Sequence, residues 1–266
     1  MNTITDTEFG HFQRFIFEAA GITLSSAKKA LVSGRLSKRL QAHKLGSFSD
    51  YFKLLTSGED AGEVQTAIDL LTTNETYFFR EAKHFELLHS VAKATSTTGQ
   101  PFRIWSAASS TGEEAYSMAM VLADALPGQP WEVVGSDIST RVLQRARSGH
   151  YPLERTQHIP PAYLKRFCLK GIDSQSGTLL VERSIRQRVT FTQVNLNETL
   201  PNLGVFDMIF LRNVMIYFNG DTKRQVVARV LGALKRGGHF CIGHSETLND
   251  ITDTLVQVAP SMYRKP

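Results

Sequence analysis

Residues 104–116 read Ile-Trp-Ser-Ala-Ala-Ser-Ser-Thr-Gly-Glu-Glu-Ala-Tyr. A short apolar run ends at Trp105, very small residues follow from Ser106 to Gly112, and a helix then starts with two carboxylates in its first turn. Strand, tight turn and helix N-terminus in this order build a nucleotide-type crevice at the carboxyl end of a strand in an open α/β sheet. Small side chains let the backbone come close to a ligand. There is no Gly-x-Gly-x-x-Gly and no Gly-Lys-Ser/Thr, so a pyrophosphate or triphosphate cradle is poorly supported. Glu113 and Glu114 repel phosphates; they suit a ligand with hydroxyls and an ammonium group, such as S-adenosylmethionine.

Other residues sit where such a ligand would be read. Asp137 follows the second strand, where a carboxylate accepts hydrogen bonds from both ribose hydroxyls; the competing role is an N-cap for the next helix. Its place after the 106–112 turn favours the ribose. Glu113 and Glu114 both favour the helix dipole. Being successive, they point in different directions, and Glu114 is the one assigned to the crevice, toward an amino group. Arg212 and Asn213 interrupt the apolar run Leu211–Phe218 at the end of a buried strand, where an unpaired polar pair would be costly. A ligand role is preferred over satisfaction by neighbouring loops. Tyr217 either points its hydroxyl into the same crevice or is a core aromatic. Thr73–Arg80 joins polar groups to three successive aromatics. It reads either as a helix start capped by Thr73 or Asn74, or as a flap over the ligand with Arg80 pairing a carboxylate; composition does not separate the two.

Two kinds of architecture must position these residues. Before residue 100 the pattern is helical. Phe9, Phe12, Phe15 and Ile16 recur at helical spacing and Gly21 ends that helix. Ser25 or Ser26 is a candidate cap for the next, whose stripe is Val32, Leu36 and Leu40, with Arg35, Lys38 and Arg39 beside it toward solvent and Gly46 as its stop. Phe48–Ser57 and Val64–Leu71 read as further helices. Lys93–Pro101 reads as a polar linker, although the functional boundary is placed earlier, near Thr72. From Pro101 strands and helices alternate: Phe102–Trp105, Glu113–Ala125, Trp131–Val134, Ser139–Ser148, Val189–Val194, Phe206–Leu211, Gly220–Leu234, His239–Ile242 and Val256–Tyr263. Alternation of this kind means a mainly parallel sheet covered by helices. Leu169–Gln187 reads as a small β-rich excursion.

The chain has 266 residues, 42% of them hydrophobic, ordinary for a globular protein. Cys168 and Cys241 are far apart and match no metal spacing, so no metal is expected. Without a signal-peptide pattern they read as reduced cytoplasmic thiols. No apolar run is long enough to cross a bilayer. The formal charge is +5, and seven basic residues face one acidic between Ala27 and Lys53. That cluster is either a solvated helix face or a surface for an acidic partner.

Taken in order, the motifs Thr72–Glu81 (Thr-Thr-Asn-Glu-Thr-Tyr-Phe-Phe-Arg-Glu), Trp105–Glu114, Ser136-Asp-Ile138, Val194-Asn-Leu196, Arg212–Phe218 and Gly243-His-Ser-Glu246 resemble the chemotaxis receptor methyltransferases, which are protein-glutamate O-methyltransferases. The resemblance covers nearly the whole chain. It implies an α/β fold: a doubly wound, Rossmann-like class I methyltransferase domain (73–266) behind a small all-helical N-terminal receptor-docking domain (1–72), with an inserted β-subdomain at about 169–187. It implies S-adenosylmethionine as cofactor, held by Asn74, Thr76, Arg80, Glu114, Asp137, Asn195, Leu196, Arg212 and Asn213. Tyr217 and Arg80 would border the transfer site. Arg35, Lys38 and Arg39 would face the acidic methylation helices of a chemoreceptor, and the β-subdomain would hold a peptide from the receptor's C-terminus. A glutamate acceptor is already ionised at neutral pH, so no strong base, nucleophile set or metal is needed. The rivals are a nucleic-acid methyltransferase and a non-catalytic cofactor-sensing adaptor. The first lacks an Asn/Asp-Pro-Pro-Tyr/Phe loop and stacking aromatics among the basic residues. The second is disfavoured by the intact set of site residues.

Overall fold

The computed structural model describes residues 3–95 and 99–266. The chain begins with four helices: α1 (Asp6–Ala20), α2 (Lys29–Ala42), α3 (Phe48–Thr56) and α4 (Ala61–Leu71). Thr5 and Glu8 form a reciprocal capping box at the start of α1, and Gly21 closes it in the left-handed conformation. Neither Ser25 nor Ser26 makes a capping hydrogen bond: Ser26–Lys28 is a 3-10 turn leading into α2. That helix stops at Ala42, ahead of Gly46, and Lys44 takes the left-handed turn. Phe12, Val32, Leu36, Tyr51 and Ala67 are fully buried where the four helices meet.

A fifth helix, α5 (Lys83–Thr95), occupies a stretch in which the sequence reading saw no element. Its buried face is His84, Phe85, Leu88 and Ala92. The expected linker Lys93–Pro101 therefore begins inside a helix, and its residues 96–98 lie outside the described residues.

From there strands and helices alternate: β1 (Phe102–Ser106), α6 (Glu113–Ala125), β2 (Trp131–Asp137), α7 (Thr140–Ser148), β3 (His150–Pro152), α8 (Pro161–Phe167), β4 (Cys168–Lys170), β5 (Thr178–Val181), α9 (Arg183–Arg186), β6 (Val189–Gln193), β7 (Phe206–Leu211), α10 (Gly220–Gly232), β8 (Leu234–Ile242), β9 (Val256–Ala259) and β10 (Met262–Arg264). The main sheet has the order β6-β2-β1-β7-β8-β10-β9. Its first five strands are parallel; β10 and β9 are antiparallel additions. The chain leaves central β1 for β2 on one side, and β7 lies on the other, so a switch point falls at the carboxyl end of β1. This is the doubly wound α/β architecture that the alternation required.

Three details differ from the reading of the sequence. The expected strand Val256–Tyr263 is two, β9 and β10, paired antiparallel. The β-rich excursion is a three-stranded antiparallel sheet, β3-β5-β4, and it draws in His150–Pro152, well ahead of residue 169. Arg236-Gly237-Gly238 does not stop α10, which ends at Gly232; the glycine pair lies within β8. Gly237 has φ +76°, and a Cβ at Gly238 would lie 2.8 Å from Leu234 Cδ1, so the pair carries the strand past its register shift against β7.

One apolar core runs from the four N-terminal helices to one face of the sheet, through Trp105, Phe206, Phe240 and Val226. A second lies on the opposite face under α5 and α6.

Arg35 and Arg39, expected to point toward solvent, are half-buried and hold internal partners. Arg39 Nε donates to Glu63 Oε1 at 2.8 Å, and Glu63 is only 4% exposed. Arg35 donates to the carbonyls of Leu70, Leu71 and Thr72, which α4 leaves free at its C-terminus. Lys29 pairs with Asp6 and Lys53 with Asp50. Lys38 remains exposed. Burial pushes the Glu63 carboxyl up, but hydrogen bonds from Arg39, Tyr51 and His43 outweigh it and hold its pKa at about 2. Arg39→Ala should therefore lower stability by about 2–4 kcal/mol, because it strips the main partner from a buried carboxylate. Urea denaturation checks this. Glu63 is depressed in the folded state, so its contribution is present above the ordinary value of 4.5 and is lost as pH falls toward about 2. The gap between wild type and variant should close across that window; equal midpoints at pH 7 would return Arg39 to the surface charges.

Candidate functional site

The site lies where β1, β2, β6 and β7 end. After β1 the chain turns through Ala107–Gly112 before α6 begins. Ser109 N–H donates to Ser136 O at 2.7 Å and the Trp105 indole N–H to Ser136 Oγ at 2.9 Å, so the turn is bound to the end of β2. Gly112 has φ +95°, and a Cβ there would lie 2.9 Å from both Ala146 Cβ and the Tyr151 hydroxyl. Only glycine fits that position.

The two carboxylates of α6 diverge. Glu113 is fully buried, accepts from Thr111 Oγ1 at 2.7 Å and meets Arg155 Nη2 at 2.6 Å, away from the crevice. Glu114 accepts from Ser106 Oγ at 2.7 Å and Arg212 Nη1 at 2.8 Å, and it lines the crevice. Burial pushes both carboxyls up, against the opposing pull of Thr111 and Arg155 on Glu113 and of Arg212 and Ser106 on Glu114.

Asp137 closes β2. Its carboxylate accepts the backbone N–H of Ser110 and of Ser139, both at 2.9 Å. Ser139, not Asp137, caps α7. Burial raises the Asp137 pKa to about 6, against those two backbone donors.

Arg212 is the buried centre of the edge, its side chain 1% exposed. It pairs with Glu81 at 3.1 Å and Glu114 at 2.8 Å, and donates to the Arg80 carbonyl. Asn213 is left-handed at φ +57°. Glu246 stabilises the segment that follows by accepting the backbone N–H of Asn213 at 2.9 Å, Met215 at 2.8 Å and Gly243 at 2.7 Å. Met215–Tyr217 is then a 3-10 turn that carries Tyr217 to the crevice wall.

The 73–80 segment is a loop rather than a helix start. Phe78 is fully buried, while Phe79 N–H donates to Ser117 Oγ at 3.0 Å and Ser110 Oγ donates to Asn74 O at 3.0 Å. Arg80 donates to the Glu75 carbonyl at 3.3 Å and lies over the Tyr77 ring.

Together these elements enclose a cleft of about 880 Å³ of empty space, its open mouth included. Ligand clefts are commonly about 300–1,000 Å³. Asn74, Thr76 and Arg80 line it from the loop; Glu114 and Asp137 line it from the ends of the first two strands. Asn195 and Leu196 follow β6, and Arg212, Asn213 and Tyr217 follow β7. Every residue assigned to the cofactor or the transfer site thus lines one cleft, with Ala20 and Ile22 of the helical region on its rim. Glu75 lines it as well, so three carboxylates in its wall suit a ligand bearing hydroxyls and positive charge.

Glu81 and Glu246 were given no role from sequence. Each is the last residue of a motif, but its partners lie 131 and 33 positions away, beyond any local pattern. Glu81, His84 and His244 also bring ligand atoms within 4.8 Å of one another. The guanidinium of Arg212 already pairs with the Glu81 oxygen they would share, and burial lowers the His84 pKa to about 3 and keeps it neutral, so the ion pair here is the one between Arg212 and Glu81.

Comparison with known proteins finds relatives along nearly the whole chain. Residues 7–72 match the family model described as the CheR methyltransferase all-alpha domain, and residues 74–263 match the CheR methyltransferase SAM binding domain. Chemotaxis protein methyltransferase 2 of Pseudomonas aeruginosa is 42% identical, with 97% of this chain and 93% of that protein aligned. The chemotaxis protein methyltransferase of Escherichia coli is also 42% identical, over 98% of this chain and 91% of that protein. Among solved structures, the N-methyltransferase NodS from Bradyrhizobium japonicum in complex with S-adenosylhomocysteine is 13% identical, with a TM-score of 0.40 over 70% of this chain and 87% of that one. On the sequence relatives and the matched SAM binding domain, this chain is an S-adenosylmethionine-dependent methyltransferase and belongs to the CheR methyltransferase family.

Proposed function

We propose that this enzyme transfers the methyl group of S-adenosylmethionine to glutamate side chains on the cytoplasmic helices of chemoreceptors, forming methyl esters for chemotactic adaptation. The observation that carries the reading is the cleft itself. Its wall offers carboxylates, two arginines and amides for binding and a tyrosine hydroxyl, while the two cysteines stand outside its lining. Such a wall suits an acceptor that is already a nucleophile. A glutamate carboxylate is ionised at neutral pH, and the protein's task is to align it and remove its water.

Asp137 is placed to hold the ribose hydroxyls and Glu114 an ammonium group, with Asn74, Thr76, Arg80, Asn195, Leu196, Arg212 and Asn213 completing the wall. The cofactor supplies an electrophilic methyl group when bound. Tyr217 and Arg80 flank the place where an acceptor carboxylate would enter: Tyr217 orients it and Arg80 offers charge.

Residues 1–72 serve as the receptor-docking unit and 73–266 as the methyltransferase unit. Lys38 is the docking residue of α2; Arg35 and Arg39 are committed to internal partners. The same commitments weaken a nucleic-acid reading, since they take Arg35 and Arg39 out of the basic cluster. The β-subdomain is the place for a receptor C-terminal peptide. No described helix is long and apolar enough to cross a membrane, and the cytoplasm is the proposed location.

The reading is tested by methyl transfer from radiolabelled S-adenosylmethionine to membranes rich in chemoreceptors, followed by mild base. Label in the receptor band, released as volatile methanol, is the expected outcome; absence of label across several receptors would sink it. In the same assay Tyr217→Phe should lower kcat about five- to tenfold, the equivalent of one hydrogen bond of about 1 kcal/mol. An unchanged rate would remove Tyr217 from the transfer site.

A pH dependence follows from Asp137. Its pKa is raised to about 6 in the free protein, and ligand hydroxyls bind the ionised form. Binding must then displace a proton at low pH. S-adenosylhomocysteine affinity, measured by calorimetry, should be flat above pH 7 and fall as pH drops through about 6. Asp137→Asn should weaken binding at pH 7 and flatten that slope; an unchanged slope in the variant would assign the titration elsewhere.

A further inference from the structure

The segment from Thr72 to Ala82 contains no helix or strand, yet it forms one wall of the cleft. Besides the loop's own Arg80, which donates to Glu75 O, three guanidinium groups from elsewhere in the chain reach its carbonyls at Thr72, Thr76 and Arg80. Arg35, from α2, donates to Thr72 O at 2.9 Å. Arg155 donates to Thr76 O at 3.1 Å. Arg212, after β7, donates to Arg80 O. The outer two hold the ends of the loop, and Arg155 holds its middle at a residue that lines the cleft.

Arg155 comes from the 3-10 turn that follows β3, the first strand of the three-stranded sheet. The same guanidinium nitrogen meets Glu113 Oε1 at 2.6 Å and reaches Thr111 Oγ1 at 3.4 Å, both next to Gly112 at the start of α6. Its neighbours repeat the connection. The Tyr151 hydroxyl donates to Thr111 O at 2.7 Å, and its ring meets Phe78 edge-on at 5.0 Å. The His158 ring lies 4.8 Å from that of Tyr77. Glu113 is fully buried and turned away from the cleft, so its pairing with Arg155 serves position and not ligand contact.

We propose that Arg155 is a positioning residue for the cofactor: it locks the 73–80 loop to the glycine turn and so couples the β-subdomain to the affinity of the cleft. The inference rests on the reading of this cleft as the cofactor site. All of these contacts come from one nitrogen, Nη2, which stands between the Thr76 carbonyl and the Glu113 carboxylate; a lysine ammonium keeps that charge without the planar group.

The test titrates S-adenosylhomocysteine into the whole protein and its Arg155→Gln and Arg155→Lys variants by calorimetry. Kinetics with receptor membranes and amide hydrogen exchange across residues 74–80 accompany it. Arg155→Gln should weaken S-adenosylhomocysteine and raise KM for S-adenosylmethionine about tenfold, the loss of one charge-assisted hydrogen bond. It should change kcat by less than about threefold, as expected when binding is lost without loss of transition-state contacts. Exchange in 74–80 should quicken, and Arg155→Lys should recover part of both effects. Wild-type affinity in Arg155→Gln, with or without faster exchange, overturns the proposal; so does a fall in kcat with KM unchanged. If Arg155→Gln does not fold, the Arg155→Gln/Glu113→Gln double variant removes the stranded carboxylate and is read by the same criteria. Failure of the wild type to bind S-adenosylhomocysteine would count against the cleft assignment, which keeps that failure distinct from failure of the role given to Arg155.

Discussion

The structure depends on how an irregular stretch of backbone is held against the carboxyl edge of a sheet. A loop outside any helix or ladder carries carbonyls that must find donors or water. Here the donors are guanidiniums from three separate parts of the chain: Arg35 from the helical region, Arg155 from the small sheet and Arg212 from the main sheet. Each joins its own part to the same wall of the cleft. The four N-terminal helices and the methyltransferase sheet are consequently not beads on a string; one apolar core passes through both, and the cleft is rimmed by residues of both.

Arg212 shows why the residue type matters. It is almost completely buried and serves Glu81, Glu114 and the Arg80 carbonyl in different directions. A fork of fixed donors is suited to that geometry. In the cleft it supports, Glu114 is paired with Arg212 and Asp137 is held by two backbone N–H donors, while burial pushes both carboxyls toward protonation.

The basic stretch on α2 teaches the opposite lesson about charge. Seven basic residues against one acidic look like a docking surface in the sequence. In the fold, Arg39 closes on the buried Glu63 and Arg35 caps α4, so these two charges hold internal partners. Lys38 keeps its exposure because it lies on the face of α2 that has no neighbour.

Much was legible in the sequence because it is encoded locally. The alternating pattern after Pro101 required a parallel sheet. The small residues of 106–112 marked a close-approach turn, and Asp137 and Arg212-Asn213 marked strand ends, since a polar group closing a buried strand must meet something. What local pattern could not decide was partnership. Helix α5 was missed because its C-terminal end runs into small polar residues that read as linker. The early start of the β-subdomain depends on His150–Pro152 pairing with a strand 28 residues away. That Glu114 faces the cleft while Glu113 turns to Arg155, that 73–80 is a loop, and that Glu81 and Glu246 brace it and the β7 edge are decided by contacts between distant segments. Sequence determined which chemistry the chain carries; tertiary structure determined which charges are spent on holding it in place, because burial and pairing exist only once the elements have packed.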